Sequence, residues 1–376
     1  MISLARATLI HEWRRFVPAV FAVAFSGLLV LVQIALLVGA FANVTVYIDQ
    51  SRADLWVGFR DTPAVDQARN IPERTLTSLW MHPEVVRVEA FNWGGGDFRR
   101  PDGAPVSGYL VGVDTRADAL TFGKLLNAEQ RHLLDEPDGI VIDAADQEKL
   151  GVEVGDHAEL NGRHVKVVGT VRGIRAPGGA NIVSSLATAR RIDPSLLHTE
   201  DVAYYLVKLR DPKRAEAVRD ALQPKGTFRP FTVWTAEEFS SQSQMYWVME
   251  SGSGSGFAFS SLLGAVVGAV ITSQTLMAAI VASLREYATL RALGVSLGAL
   301  RRVVLEQSLW VGLIGLVITL LTTFALRMAA DRMAVTMLVP PVAVAGTSVL
   351  VLAIAACSGL LAVRQLARAE PASLLR

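Results

Sequence analysis

The chain has 376 residues, of which only 19% are charged, below the roughly one quarter usual in soluble globular domains. A formal net charge of +1 offers no basic field for nucleic acid, and a single cysteine excludes a disulfide framework. Apolar residues make up 51% of the chain, and they are gathered into long runs.

In chain order, residues 1–16 form a short cytoplasmic amphipathic segment carrying Arg6, Arg14 and Arg15 against Glu12. The run 17–42 has no charge and exceeds the ~20 apolar residues that a membrane helix needs. "GAFA" at Gly39–Ala42 carries the small-x-small pattern of a signal-peptidase site. A secretory apolar stretch spans only about 7–15 residues, however. We read 17–42 as a retained first transmembrane helix, with a cleaved signal as the competing reading.

Residues 43–255 hold 24 basic and 30 acidic side chains and read as an α/β domain. "DLWVGF" (Asp54–Phe59) is a predicted strand, Pro72–Met81 a helix with Pro in its first turn, and Glu84–Trp93 a strand. The order recurs near the end with strand Tyr204–Leu209, helix Pro212–Leu222 and strand Thr227–Trp234. Two strand–helix–strand units around a long middle section predict a ferredoxin-like split sheet with an inserted small β subdomain. "PVSGYLVGV" (Pro105–Val113) and "HVKVVGTV" (His164–Val171) are the clearest strands of that insert. "GGG" at Gly94–Gly96 reads as a hairpin loop, and "DAADQE" (Asp143–Glu148) as the start of a helix, where acids are favourable. Thr235 with Glu238 predicts a capping box opening the helix that leads back to the membrane.

"SGSGSG" (Ser251–Gly256) is either a flexible linker or the beginning of a small-residue helix face. Ser260, Gly264, Gly268 and Thr272 continue that face into the second transmembrane run, 256–284. Such spacing lets two helix backbones approach closely, so we expect a dimer face there, with packing inside one subunit as the alternative. A cytoplasmic loop, 285–306, precedes the third span, 307–326. A short external loop, 327–332, a fourth span, 333–363, and a tail, 364–376, complete a four-helix membrane protein.

Arg distribution sets the orientation. The N-terminal segment, the 285–306 loop and the tail each carry a net charge of +2, and four spans put all three on the cytoplasmic side. Arg327 and Arg332 in the short external loop are a milder opposing signal. The expectation is a multi-pass membrane protein in contact with lipid, with both termini cytoplasmic and 43–255 outside.

The chain shows no catalytic constellation. It lacks a G-x-x-x-x-G-K-[ST] phosphate loop, and its six His show no metal-ligand spacing. We therefore expect no catalytic residues, metal or cofactor. The spans contain no Asp, Glu, Lys, Arg or His, whereas ion-coupled carriers place such groups at membrane depth.

"REYATLRALGVSLGALRR" (Arg285–Arg302) is the informative stretch. Helix formers should carry the second helix past the membrane surface to Leu293, Gly294 suits the left-handed residue that ends it, and Ser296 suits the next N-cap. Tyr287, Leu290 and Leu293 would form an apolar stripe beside Arg285, Glu286 and Arg291, a small protein contact. A helix lying on lipid headgroups is the plainer alternative.

"EYATLRALGVSLGALRRVVLEQSL" resembles the cytoplasmic loop of ABC transporter permeases of the MacB/FtsX superfamily, with wording most like the DevC branch. "ADLWV" (Ala53–Val57), "LGVEVGD" (Leu150–Asp156) and "AEPASLLR" (Ala369–Arg376) agree more weakly. The resemblance implies a homodimer whose loop residues Arg285, Glu286, Tyr287, Leu290, Arg291, Leu293 and Gly294 couple to a separate ABC ATPase subunit. It implies that the membrane is a bacterial inner membrane, with export through a periplasmic adaptor (membrane-fusion) protein and an outer-membrane channel. Two other functions of this architecture stay open: a lipoprotein- or lipid-releasing permease, and an FtsX-like non-transporting signal transmitter.

Overall fold

The computed structural model describes residues 11–176, 178–193, 200–224, 230–250, 252–283, 286, 289–290, 293–332 and 335–368. The chain divides into a helical unit, residues 1–39 with 253–376, and a mixed unit, residues 40–252.

Helix α1 spans Trp13–Val44 and is followed by strand β1, Leu55–Phe59. Helix α2, Arg74–Trp80, leads into a 15-residue strand, β2, Val85–Arg99. Strands β3 (Pro105–Val113), β4 (Gly139–Asp143), β5 (His157–Leu160), β6 (Arg163–Val171) and β7 (Ala180–Ser185) precede helix α3, Leu186–Ile192. Strand β8 (Tyr204–Leu209), helix α4 (Ala215–Leu222) and strand β9 (Phe231–Thr235) return the chain to helix α5, Ala236–Met249. Helices α6 (Ser253–Ala282), α7 (Leu297–Arg332) and α8 (Pro341–Arg368) complete the chain. Helices α1, α6, α7 and α8 each hold a segment long and apolar enough to cross a membrane.

One sub-sheet of the mixed unit has the order β2–β8–β1–β9, every neighbour antiparallel. With α2 between β1 and β2, and α4 between β8 and β9, this is the split strand–helix–strand arrangement that the sequence predicts. Its core surrounds Trp56, fully buried, whose ring meets Phe91 and Tyr204 edge-on with centroids 5.5 Å away in each case. The Thr235 hydroxyl accepts from the Glu238 N–H at 3.1 Å, and the Glu238 carboxylate accepts from the Thr235 N–H at 3.3 Å. This capping box starts α5 so that Phe239 stacks on Trp234 at 4.6 Å.

The insert is a closed barrel. Its strands run β3–β7–β4–β6–β5, and the far half of β2 pairs with both β3 and β5 to close the ring. Phe98, Leu110, Ile142, Val167 and Ile182 fill its interior. Closure leaves this lobe without a free edge, which a small sheet would otherwise expose.

Gly94–Gly96 therefore forms no hairpin loop. All three lie inside β2, opposite Leu110, Tyr109 and Gly108. Local Gly content signals a turn, but the non-local pairing with β3 outweighs it. "DAADQE" also differs from expectation. Asp143 ends β4 and accepts from the N–H groups of Ala145, Gly173 and Ile174 at 2.9, 2.8 and 2.9 Å. Only Gln147–Leu150 is helical. The final strand of the split sheet begins at Phe231, and residues 225–229 lie outside the described residues.

A buried ionic knot fastens the connection after β3. Glu89 accepts from the N–H of Leu120 at 2.5 Å and from the N–H and hydroxyl of Thr121 at 2.9 and 2.8 Å. Fully buried Arg131 donates to the carbonyls of Asp114 and Thr121 at 2.9 and 2.5 Å. Burial pushes the Glu89 carboxyl above its ordinary value, and the three donors oppose that shift.

Candidate functional site

Helix α6 ends at Ala282, and the described part of the loop comprises Glu286, Thr289, Leu290 and the chain from Leu293 onward. Arg285, Tyr287 and Arg291 lie outside the described residues. Glu286 accepts from Arg15 at 3.2 Å, and the same guanidinium donates to Glu12 at 2.7 Å. The loop is thereby tied to the start of α1 through an exposed pair, an interaction worth about 1 kcal/mol at most. Partial desolvation, with Glu286 alongside, raises the Glu12 carboxyl above its ordinary value.

The turn itself is closed by local contacts. Gly294 sits at φ +94°, the left-handed conformation that glycine adopts at least cost. The Val295 N–H donates back to the Leu290 carbonyl at 3.1 Å, the six-to-one bond that closes a helix ending in a left-handed glycine. Leu290 and Val295 both pack onto the core made by Phe16, Leu276 and Leu300, the apolar contact that accompanies such an end. Ser296 then caps α7, its hydroxyl accepting from the Ala299 N–H at 3.3 Å. The predicted helix end and N-cap are both present.

Of the predicted apolar stripe, Leu290 and Leu293 lie among the described residues, and they differ in exposure. Leu290 is half-buried within the helical unit, whereas Leu293 is 80% exposed. A spacing of three places residues on one side of an isolated helix, but the fold turns Leu290 inward to close the turn. Among the described stripe residues, Leu293 is the one that projects into open surroundings.

The small-residue face of α6 packs against α1 of the same chain. Gln33 donates to the Ser260 hydroxyl at 3.1 Å. A Cβ placed on Gly264 would lie 3.5 Å from the Leu29 Cβ, in ordinary contact. One placed on Gly268 would lie 1.8 Å from the Ser26 hydroxyl, so no larger residue fits there. Thr272 is fully buried. What α6 presents outward is a different, apolar face that includes Phe259, Leu262, Val266 and Val270.

Sequence reasoning missed other close approaches of this kind. A Cβ on Gly27 would meet the Thr319 hydroxyl at 2.7 Å, and one on Gly359 would meet the Ser308 hydroxyl at 2.2 Å. Thr319 donates across to the Ala24 carbonyl at 3.0 Å, joining α7 to α1. Paired small residues within the runs were the available signal, since helices in lipid associate by such contacts. Among the described residues, no group of three His, Cys, Asp or Glu converges on a metal site.

A four-helix membrane unit joined to a split α/β sheet with an inserted barrel is an architecture that an ABC-type permease can have. The family comparisons agree. Residues 17–225 match the MacB-like periplasmic core domain, and residues 258–371 match the FtsX-like permease C-terminal domain. The chain belongs to the MacB/FtsX superfamily of permeases. No curated protein sequence matches it. Among solved structures it is similar to the periplasmic region of MacB from Actinobacillus actinomycetemcomitans, at 13% identity and a TM-score of 0.36, over 52% of this chain and 94% of that one. It is also similar to the extracellular domain of the noncanonic ABC-type transporter YknZ from Gram-positive bacteria, at 15% identity and a TM-score of 0.34, over 49% of this chain and 99% of that one. The assignment rests on the two family matches.

Proposed function

We propose that the chain is the permease subunit of an ATP-driven exporter of the MacB/DevC type in a bacterial inner membrane. The 285–306 loop receives a separate ABC ATPase, and the motion passes along the helices to the external domain, which works with a periplasmic adaptor and an outer-membrane channel. The permease acts as a dimer, with the outward apolar face of α6 as its contact, because the small-residue face is already occupied by α1. The observation that carries this reading is the loop. The turn is closed by the Val295–Leu290 bond with its apolar contact turned inward, and it leaves Leu293 projecting. A mere connector between spans has no need of an exposed leucine at the tip of a closed turn.

The test is Leu293→Asp in the full-length protein, followed by affinity purification from the native membrane. Burying an unpaired carboxylate in a contact costs more than the roughly 2–7 kcal/mol of an unpaired neutral polar group. The ATPase should therefore be lost from the purified material while insertion is unchanged. Retention of the ATPase by this variant would remove the coupling role of the loop. Leu290→Asp is the poorer probe, because that side chain also holds the turn closed.

A second reading has an observation of its own. A groove of about 390 Å³ lies between α1 and α8, lined by Val30, Ile34, Val342, Gly346 and Leu350. Its apolar lining suits an acyl chain, which favours a permease that releases lipid or lipoprotein. Val30→Trp with Gly346→Trp should then abolish release of an acylated cargo and leave an unacylated export substrate unaffected.

A further inference from the structure

Helices α7 and α8 run antiparallel, so that a Cβ on Gly312 would meet Ala355 and one on Gly359 would meet Ser308. The end of α7 therefore lies level with the start of α8. Between the two, the Leu338 N–H donates to the Ala35 carbonyl at 3.2 Å, which lays the segment before α8 along α1. Next to this contact, α1 and α8 leave the groove of about 390 Å³, with Val30 and Ile34 on one side and Val342, Gly346 and Leu350 on the other.

Two polar features interrupt this apolar lining. The first is the N-terminus of α8, whose Pro340, Val342 and Ala343 border the groove. Pro341, the first residue of the helix, has no N–H. The N–H groups of Ala343 and Val344 turn back to the Pro340 carbonyl at 3.0 and 3.2 Å, and that of the exposed Val342 has no partner among the described residues. The second is Thr347, which lines the groove, is 3% exposed, and has a hydroxyl with no hydrogen-bond partner. The neighbouring Ser348 hydroxyl donates to the Val344 carbonyl one turn back at 2.7 Å, the local bond open to any Ser or Thr in a helix. Thr347 makes no such bond. At the same end of the helical unit, the last turns of α7 carry Arg327 and Arg332, exposed and without an ion pair among the described residues, against one carboxylate, Asp331.

We propose that the groove seats an anionic phospholipid, with one acyl chain between α1 and α8, its phosphate at the N-terminus of α8 and a glycerol ester against the Thr347 hydroxyl. A helix N-terminus holds phosphate through its unpaired N–H groups and the aligned peptide dipoles. Thr347 lies about 8 Å further along the helix than Val342, on the side of a phosphate where the ester linkages lie. An ester carbonyl accepts what the unpaired hydroxyl donates. Basic residues beside a membrane helix attract anionic head groups, and here two guanidinium groups face the head-group level against one carboxylate. Arg327 and Arg332, which oppose the charge asymmetry of the other segments, thereby acquire a role. The lipid is a resident component, so the inference holds whether or not the permease releases lipid.

The test is native mass spectrometry of the full-length protein, delipidated in detergent and titrated with dioleoyl phosphatidylglycerol, dioleoyl phosphatidylcholine or inorganic phosphate. Phosphatidylglycerol should bind saturably, one per chain, and about fivefold more tightly than phosphatidylcholine, the effect of one basic residue beside an anionic head group. Thr347→Val keeps the shape of the side chain and should weaken binding about fivefold, the loss of one net hydrogen bond. Gly346→Phe meets no neighbour within 4 Å and puts a ring where the chain would lie. Packing is what holds a chain against helices in an apolar medium, so this variant should abolish the saturable site at unchanged melting temperature. Arg332→Gln should reduce the preference for phosphatidylglycerol and leave phosphatidylcholine as it was. Absence of a saturable site overturns the proposal, as does binding indifferent to Thr347→Val or to a folded Gly346→Phe. Equal binding of the two lipids overturns the anionic head group. Displacement of the lipid by millimolar inorganic phosphate would show an anion site without an acyl chain and overturn it too.

Discussion

At the scale of single residues, the closest packing in the helical unit depends on the absence of a side chain. Gly268 lies so near Ser26 that a Cβ would fall 2.3 Å from the serine Cβ, while Gly264 has room for one at 3.5 Å from Leu29. The two glycines look alike in the sequence and differ in what faces them. Gly264→Ala should therefore be tolerated within about 0.5 kcal/mol, as an ordinary substitution is. Gly268→Leu should separate α1 from α6 at a cost of about 1–3 kcal/mol or more, typical of overpacking. Thermal melts of the two variants in detergent would check this. Equal melting temperatures would show that α1 and α6 do not approach as described.

At the scale of elements, the main result is that a helix face suited to self-association is covered within the chain. Ser260 is hydrogen-bonded to Gln33 of α1, and a Cβ on Gly264 would lie 3.5 Å from the Leu29 Cβ, the separation a disulfide spans, so Gly264→Cys with Leu29→Cys, in a Cys357→Ser background, should join within one chain. The expected product on a non-reducing gel runs as a monomer. A covalent dimer from Ser260→Cys alone would return this face to the subunit contact. The loop between α6 and α7 shows the converse case. Its helix end, left-handed Gly294 and Ser296 cap were legible because each depends on a few adjacent residues. The inward turn of Leu290 was not, because the core that receives it comes from Phe16 on α1 and Leu300 on α7.

At the scale of the whole molecule, the Arg asymmetry makes an orientation testable. In the Cys357→Ser background, Gly178→Cys should react with a membrane-impermeant thiol reagent in cells with a permeable outer membrane. Gly178 has open space around it and takes a left-handed φ of +75°, so the substitution carries some local strain without a clash. Ser296→Cys should react only after the inner membrane is opened. The reverse pattern would put the loop beyond the reach of a cytoplasmic ATPase.

The sequence by itself determined the four membrane helices, the repeated strand–helix–strand units, the Thr235–Glu238 box and the turn at Gly294. Each of these is a local signal: an uncharged run, a periodicity, a capping pair, a residue permitted a left-handed backbone. Tertiary structure alone decided that Gly94–Gly96 runs through a strand, that β2 closes a barrel, and that Glu89 and Arg131 are buried as a knot. It also decided that α1 covers the small-residue face of α6. The physical reason is common to all of these. A residue's own chemistry sets the conformations and contacts it can accept, but which partner covers it is fixed by chain segments far away in sequence, whose pairing outweighs local preference once it buries enough surface.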